Sequence, residues 1–160
     1  MAKNPTTPPP AQDNQPSFNI ERIYTKDLSF ESPSSPKIFQ EEWQPEIDLQ
    51  LKTSTSQLSD NIHEVVLSVT VTAKAKEKTL FVTEVQQGGI FSFRNIPADQ
   101  MHPILGSVCP SMIYPYLREV VSDLVIRGGF PQLVLAPINF DALYAQHVAN
   151  DKKSSGETAH

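Results

Sequence analysis

Between residues 17 and 31, apolar side chains recur at alternate positions. The even positions read Phe18, Ile20, Arg22, Tyr24, Lys26, Leu28 and Phe30, and the odd ones Ser17, Asn19, Glu21, Ile23, Thr25, Asp27, Ser29 and Glu31. Successive side chains of a strand point to opposite faces, so this period predicts a strand with one largely apolar face. The other, wetter face carries Glu21, Asp27 and Glu31 as an acidic stripe. The following stretch, SPSSPKIFQEEWQP, holds Pro33, Pro36 and Pro45, too many residues without a donor N–H for a sheet interior. It also holds Ile38, Phe39 and Trp43, and so reads as a long loop bearing large apolar side chains.

Alternation resumes with Ile47, Leu49 and Leu51 set against Glu46, Asp48, Gln50 and Lys52. A turn at LSDN, residues 58–61, leads to a third strand with Val65, Leu67, Val69 and Val71 on one face. A Lys-rich turn then opens a fourth strand over 79–93, in which Thr79, Phe81, Thr83, Val85, Gln87, Gly89, Phe91 and Phe93 oppose Leu80, Val82, Glu84, Gln86, Gly88, Ile90 and Ser92. Three strands joined by short turns predict an antiparallel meander, and the first strand joins through the Pro-rich crossover at a position the pattern leaves open. Gly88-Gly89 has no following helix or Lys to make a phosphate loop, and a strand kink or bulge is expected there.

The remainder reads as helical. Over 111–127 the apolar residues Met112, Ile113, Tyr116, Leu117, Val120, Val121, Leu124 and Val125 cover more than half the circumference and leave a narrow polar stripe, so this helix needs burial on two sides. Gly128 and Gly129 end it. An extended run bracketed by Pro131 and Pro137 follows, and then Asn139 caps a short helix with Phe140, Leu143, Tyr144, His147 and Val148 on one side. The expected fold is α+β: a four-stranded antiparallel sheet with a long crossover loop after strand 1 and two C-terminal helices. One sheet cannot cover both faces of the long helix, which predicts a homo-oligomer with helices between sheets.

Composition trims this picture to one domain. At 160 residues and 39% hydrophobic the chain can build a single core. Residues 1–16 hold five of the 14 prolines and no large apolar residue beyond Met1, so a disordered arm is expected there. A flexible tail is expected over 149–160, leaving 17–148 as the folded part. A net charge of −5, with only Lys74, Lys76 and Lys78 clustered, argues against nucleic acid, whose phosphates demand clustered cations. No apolar run is long enough to cross a bilayer and no signal-peptide order opens the chain, so a soluble, cytoplasmic protein without direct membrane insertion is expected. Cys109 is the single cysteine and cannot form an intramolecular disulfide.

Candidate chemistry is sparse. His63, His102, His147 and His160 lack the i, i+4 spacing and partner cysteines of a metal site, and no metal or cofactor is expected. Cys109 reads as a small buried hydrophobe, with a thiol–histidine pair formed in space as the catalytic alternative. Asp27 and Glu31 stand about 13 Å apart along a strand, too far to share a proton; they form either a solvated face or an acidic docking surface for a basic partner. Phe39 and Trp43 either lid the core or, with Leu143 and Tyr144 of the last helix, wall an apolar groove.

At RIYTKDLSFE from Arg22, WQPE from Trp43, VQQGGIF from Val85, CP at Cys109 and FPQLVLAPINFDALY from Phe130, the chain resembles the SecB export chaperones of Gram-negative bacteria. The resemblance implies a homotetramer, a dimer of dimers with long helices between outer sheets. It implies no enzymatic activity, and it implies that unfolded precursor polypeptides are bound and delivered to the SecA translocase motor. By this likeness Phe39, Trp43, Ile47, Leu49, Leu143 and Tyr144 are client-binding. Asp27, Glu31, Val82 and Glu84 dock the motor, while Thr83, Val85 and Gln87 on the other face of the fourth strand, with Tyr116 and Val120 on the long helix, serve oligomer assembly. The family's tail makes a second contact with a zinc-bearing segment of the motor, and ANDKKSSGETAH departs from that tail. The competing reading is a small-ligand protein or enzyme with a pocket under the crossover loop.

Overall fold

The computed structural model describes residues 14–157, so most of the expected N-terminal arm lies outside the described residues. Four long strands, β1 (Ser17–Glu31), β2 (Glu46–Ser59), β3 (Ile62–Ala75) and β4 (Lys78–Arg94), form one antiparallel sheet in the order β1-β4-β3-β2. The crossover loop therefore carries the chain from one edge of the sheet to the other, which settles the position left open by the pattern. Its end strands are β1 and β2, and the buried residues concentrate on the central pair β3 and β4. The hairpin turns fall at Asn61 and at Lys76-Glu77, all three with positive φ, the backbone that tight hairpins require.

Odd positions of β3 and β4 make the inner face: Val65, Leu67, Val69, Val71, Val85 and Phe91 are buried. The helix α2 (Cys109–Arg127) lies on that face and buries Cys109, Ile113, Leu117, Val121 and Val125, one residue per turn. On its far side Met112 and Tyr116 are exposed, so the helix does leave apolar surface uncovered within one chain. Thr83, Val85 and Gln87 are buried beneath α2. They stand on the face of β4 opposite Val82 and Glu84, as the alternation predicts, and support α2 from below.

Three differences from the pattern have local causes. First, β1 carries irregularities between Ile20 and Arg22 and between Thr25 and Asp27, so its strict alternation breaks. Phe18, Ile20, Leu28 and Phe30 oppose inward residues of β4 as expected, but between the two bulges Ile23 opposes Gly89 and Tyr24 opposes Gly88, which turns Tyr24 outward. β4 itself runs in register through Gly88-Gly89, so the bulges predicted at the glycines sit in the partner strand instead. A Cβ on Gly88 would lie 2.6 Å from the Tyr24 ring, so a side chain there would displace the tyrosine.

Second, helix begins earlier than residue 111: α1 (Ala98–Pro103) and a wide turn at Ile104–Val108 run directly into α2. Pro97, Pro103, Pro110 and Pro115 mask this segment in the sequence: Pro97 caps α1 and Pro110 stands in the first turn of α2, where a missing N–H is tolerated, whereas Pro103 ends α1 beside the wide turn and Pro115 lies inside α2. Third, the last helix, α3 (Phe140–Glu157), continues well beyond Val148 because no proline or glycine interrupts it before Gly156, although its added turns are exposed. Its start is as expected: the Asn139 Oδ1 accepts the Ala142 N–H at 3.0 Å.

Candidate functional site

The crossover loop is fastened at several points. Ile38 is fully buried, Ser32 and Ser34 donate to the carbonyls of Leu80 and Thr79, and Lys78 pairs with Glu41 at 3.0 Å. Trp43 is half-buried and donates its indole N–H to the Ile38 carbonyl at 3.0 Å. Ile38 and Trp43 lid the core, while Phe39 remains 48% exposed. Beneath them Phe130, just past α2, lies 5.3 Å from Phe39, 6.0 Å from Trp43, 5.1 Å from Phe81 and 6.4 Å from Phe30 by ring centroids. All four pairs are tilted, the arrangement that the ring quadrupole favours. Phe130 is thus the hub of the cluster and was not singled out from sequence.

From this cluster the inner face of β2 leads away. Ile47, Leu49 and Leu51 oppose Ala73, Val71 and Val69, but β2 is an edge strand that α2 does not reach, so Ile47 and Leu49 stay exposed. Leu51, Thr53 and Thr55 then enter a cleft of about 990 Å³ between β2 and α3, whose other wall includes Leu105, Phe140, Leu143, Tyr144 and Val148. The Tyr144 ring packs on Gly106, where a Cβ would lie 2.6 Å away. Of the six residues expected to bind clients, Leu143 and Tyr144 line the cleft; Phe39 and Trp43 belong to the aromatic cluster, and Ile47 and Leu49 join the two. Leu51 was overlooked, although it continues the period-two row of Ile47 and Leu49.

The opposite sheet face has no helix on it among the described residues. Register places Asp27 beside Gln86, Ser29 beside Glu84 and Glu31 beside Val82, so all four expected docking residues share this outer face in adjacent strands. Asp27, Glu31 and Glu84 are exposed and in no ion pair among the described residues, and Thr70 reaches Glu84 at 3.5 Å. The same rows extend further: Val82 opposes Thr72 and Thr72 opposes Asp48, which adds Asp48 to the acidic face. Sequence alternation had put Asp48 on a polar face but could not say that it was this one.

Cys109 is fully buried, and burial pushes its thiol up to about 12, away from the thiolate form a nucleophile needs. Native protein at pH 8 is accordingly expected to resist iodoacetamide, with Cys109 alkylated only after denaturation; rapid labelling of the folded chain, followed by mass spectrometry, would contradict this. His63, His102 and His147 line the same cleft, but no group of three or more potential ligands among the described residues is arranged to hold a metal. No helix among the described residues is long and apolar enough to cross a membrane.

Comparison with known proteins gives a consistent result. The family model described as preprotein translocase subunit SecB matches residues 11–151. The protein-export protein SecB of Marinobacter nauticus is 49% identical over 98% of this chain and 96% of its own length. A SecB-like chaperone of Mycobacterium tuberculosis, solved with a peptide from the HigA1 antitoxin, shares the fold at a TM-score of 0.64 and 17% identity, over 76% of this chain and 90% of its own. An apolar run beside an edge strand, an acidic sheet face on the other side and these matches together place the chain in the SecB family of protein-export chaperones, which are not enzymes.

Proposed function

We propose that this chain captures unfolded precursor polypeptides in the cytoplasm, keeps them competent for translocation and delivers them to the SecA translocase motor. The client surface runs from Phe39 and Trp43 along Ile47, Leu49 and Leu51 to Leu143 and Tyr144. The observation that carries this reading is the open inner face of β2, which joins the aromatic cluster to the cleft under α3. Burying one apolar side chain contributes about 1.5–3 kcal/mol, so several shallow anchors engaged by one extended chain hold it without any sequence code. Once a client folds it withdraws those side chains, which makes selection for slow folders kinetic.

Asp27, Glu31, Val82 and Glu84 form the docking surface for the motor, on the face away from the clients. Tyr116 and Val120 take part in assembly of a homotetramer, in which the uncovered side of α2 meets another subunit. Thr83, Val85 and Gln87 support that helix from below. Asp151, Lys152 and Ser155, on the added turns of α3, line the polar end of the same cleft.

The test is suppression of aggregation of a chemically denatured precursor, with native mass measurement of the complex. Two variants, W43S/L49S and L51S/L143S, are each expected to weaken capture at least about tenfold, as loss of roughly 1.4 kcal/mol or more from two half-exposed anchors requires. Unchanged capture by both folded variants would overturn the client surface.

A further inference from the structure

The outer face carries an arrangement that neither client capture nor the acidic residues themselves explain. Lys26 is the extra residue of the bulge between Thr25 and Asp27, immediately before the first docking carboxylate. Its ammonium does not meet Asp27. It reaches across to β3 and pairs with the Glu64 Oε1 at 2.9 Å. Glu64 is held from a second side, because the Tyr24 hydroxyl donates to its other oxygen, Oε2. Tyr24 can reach that far only because Gly88, over which its ring lies, has no side chain.

The register gives the direction of this pull. Glu64 lies opposite Ile90, whereas Asp27, Glu84 and Glu31 occupy the rows of Gln86, Glu84 and Val82, toward the other end of β4. Lys26 is therefore drawn away from the acids. The Glu64 side chain is only 17% exposed, and the Tyr24 and Lys26 hydrogen bonds hold its carboxyl below the usual carboxylate range, so it remains an anion for Lys26. The other cations on this face stand away from Asp27: Arg22 opposes Ile90, in the row of Glu64, Arg94 opposes Ser17 at the far end of β4, Lys74 opposes Glu46, and Lys52 opposes Ser68, three strands over from Asp27.

We infer that Glu64, braced by Tyr24, is a positioning residue of the docking face that holds Lys26 away from Asp27 and so leaves the acidic surface without a neutralising cation. The inference rests on the docking reading proposed above. A surface acid that already has an adjacent lysine as partner gives up that partner when a basic protein arrives, and so attracts it less. The bulge is what frees Lys26 from the pleat to turn toward Glu64, and the glycine is what admits the tyrosine that braces it.

The experiment compares the full-length protein with the variants E64Q, K26Q and K26Q/E64Q. E64Q keeps an acceptor for Tyr24 and so preserves the local fold. In E64Q, Asp27 followed by NMR titration is expected to titrate at lower pH than in the parent, because Lys26 now pairs with it. Binding to purified SecA at low salt is expected to weaken about threefold to tenfold. K26Q alone should bind no more weakly than the parent, and K26Q/E64Q should recover parental binding, a rescue that simple structural damage at residue 64 would not produce. An unchanged Asp27 titration in E64Q, or a double variant as weak as E64Q, overturns the role of Glu64. D27K run alongside separates the two readings: if it leaves SecA binding intact, the docking surface itself is wrong, and the Asp27 titration still decides Glu64.

Discussion

Replacing Phe130 with alanine is expected to lower the melting temperature by about 6–20 °C and to abolish tight client capture together. The ring is 5% exposed and stands at the centre of four other aromatic side chains. Removing a buried phenylalanine costs about 3–5 kcal/mol through lost transfer energy and the cavity left behind. In a domain of this size each kcal/mol corresponds to about 2–4 °C. The functional loss has a separate cause: Phe39 and Trp43 rest on Phe130, and without it the crossover loop keeps its Ile38 anchor but loses the floor that orients its two aromatic groups. Calorimetry and client titration on the same preparation check both parts. Phe130→Leu, which refills most of the volume, should recover more stability than capture. A change in melting temperature under about 2 °C for Phe130→Ala would show that the cluster is not the hub described.

The second large effect is expected from the double charge reversal D27K/E84K. The two carboxylates stand on neighbouring strands of the exposed face and change the local charge by four units when reversed, from minus two to plus two. Binding to the motor should weaken at least about tenfold at low ionic strength, and the difference should shrink as salt approaches about 1 M, where the screening length falls to roughly 3 Å. Client capture should stay within about twofold of the parent, since the proposed client surface lies on the other side of the sheet. Isothermal titration with each partner separates the two outcomes. Equal loss of both activities would sink the division of the molecule into two working faces.

Much of the fold is legible in local pattern. The alternation in β2, β3 and β4 defines their faces, the glycines after Arg127 end α2, and Asn139 starts α3. β1 was harder to read because a bulge changes which side chains face inward while leaving the composition of the strand unchanged; Ile23 and Tyr24 exchange roles without any local sign of it. α1 was hidden by prolines whose disruptive effect depends on where in a turn they fall. The client surface was half-legible. Phe39 and Trp43 stood out as apolar residues on a loop, whereas Phe130 looked like an ordinary strand or core residue until its neighbours were known.

The sequence by itself determined the two chemistries of this protein: which strand faces are apolar and which acidic, that its lone cysteine and scattered histidines form no evident catalytic set, and that the long helix exceeds what one sheet can cover. Each is a property of periodicity or composition, carried by residues close together in the chain. Only the tertiary structure decided that β1 pairs with β4, that Asp48 joins Asp27, Glu31 and Glu84 on one face, that Thr83, Val85 and Gln87 lie under α2, and that Lys26 pairs with Glu64 two strands away. These relations join positions tens of residues apart, and they depend on strand order and bulge placement, which are set by how the whole sheet packs against its helix.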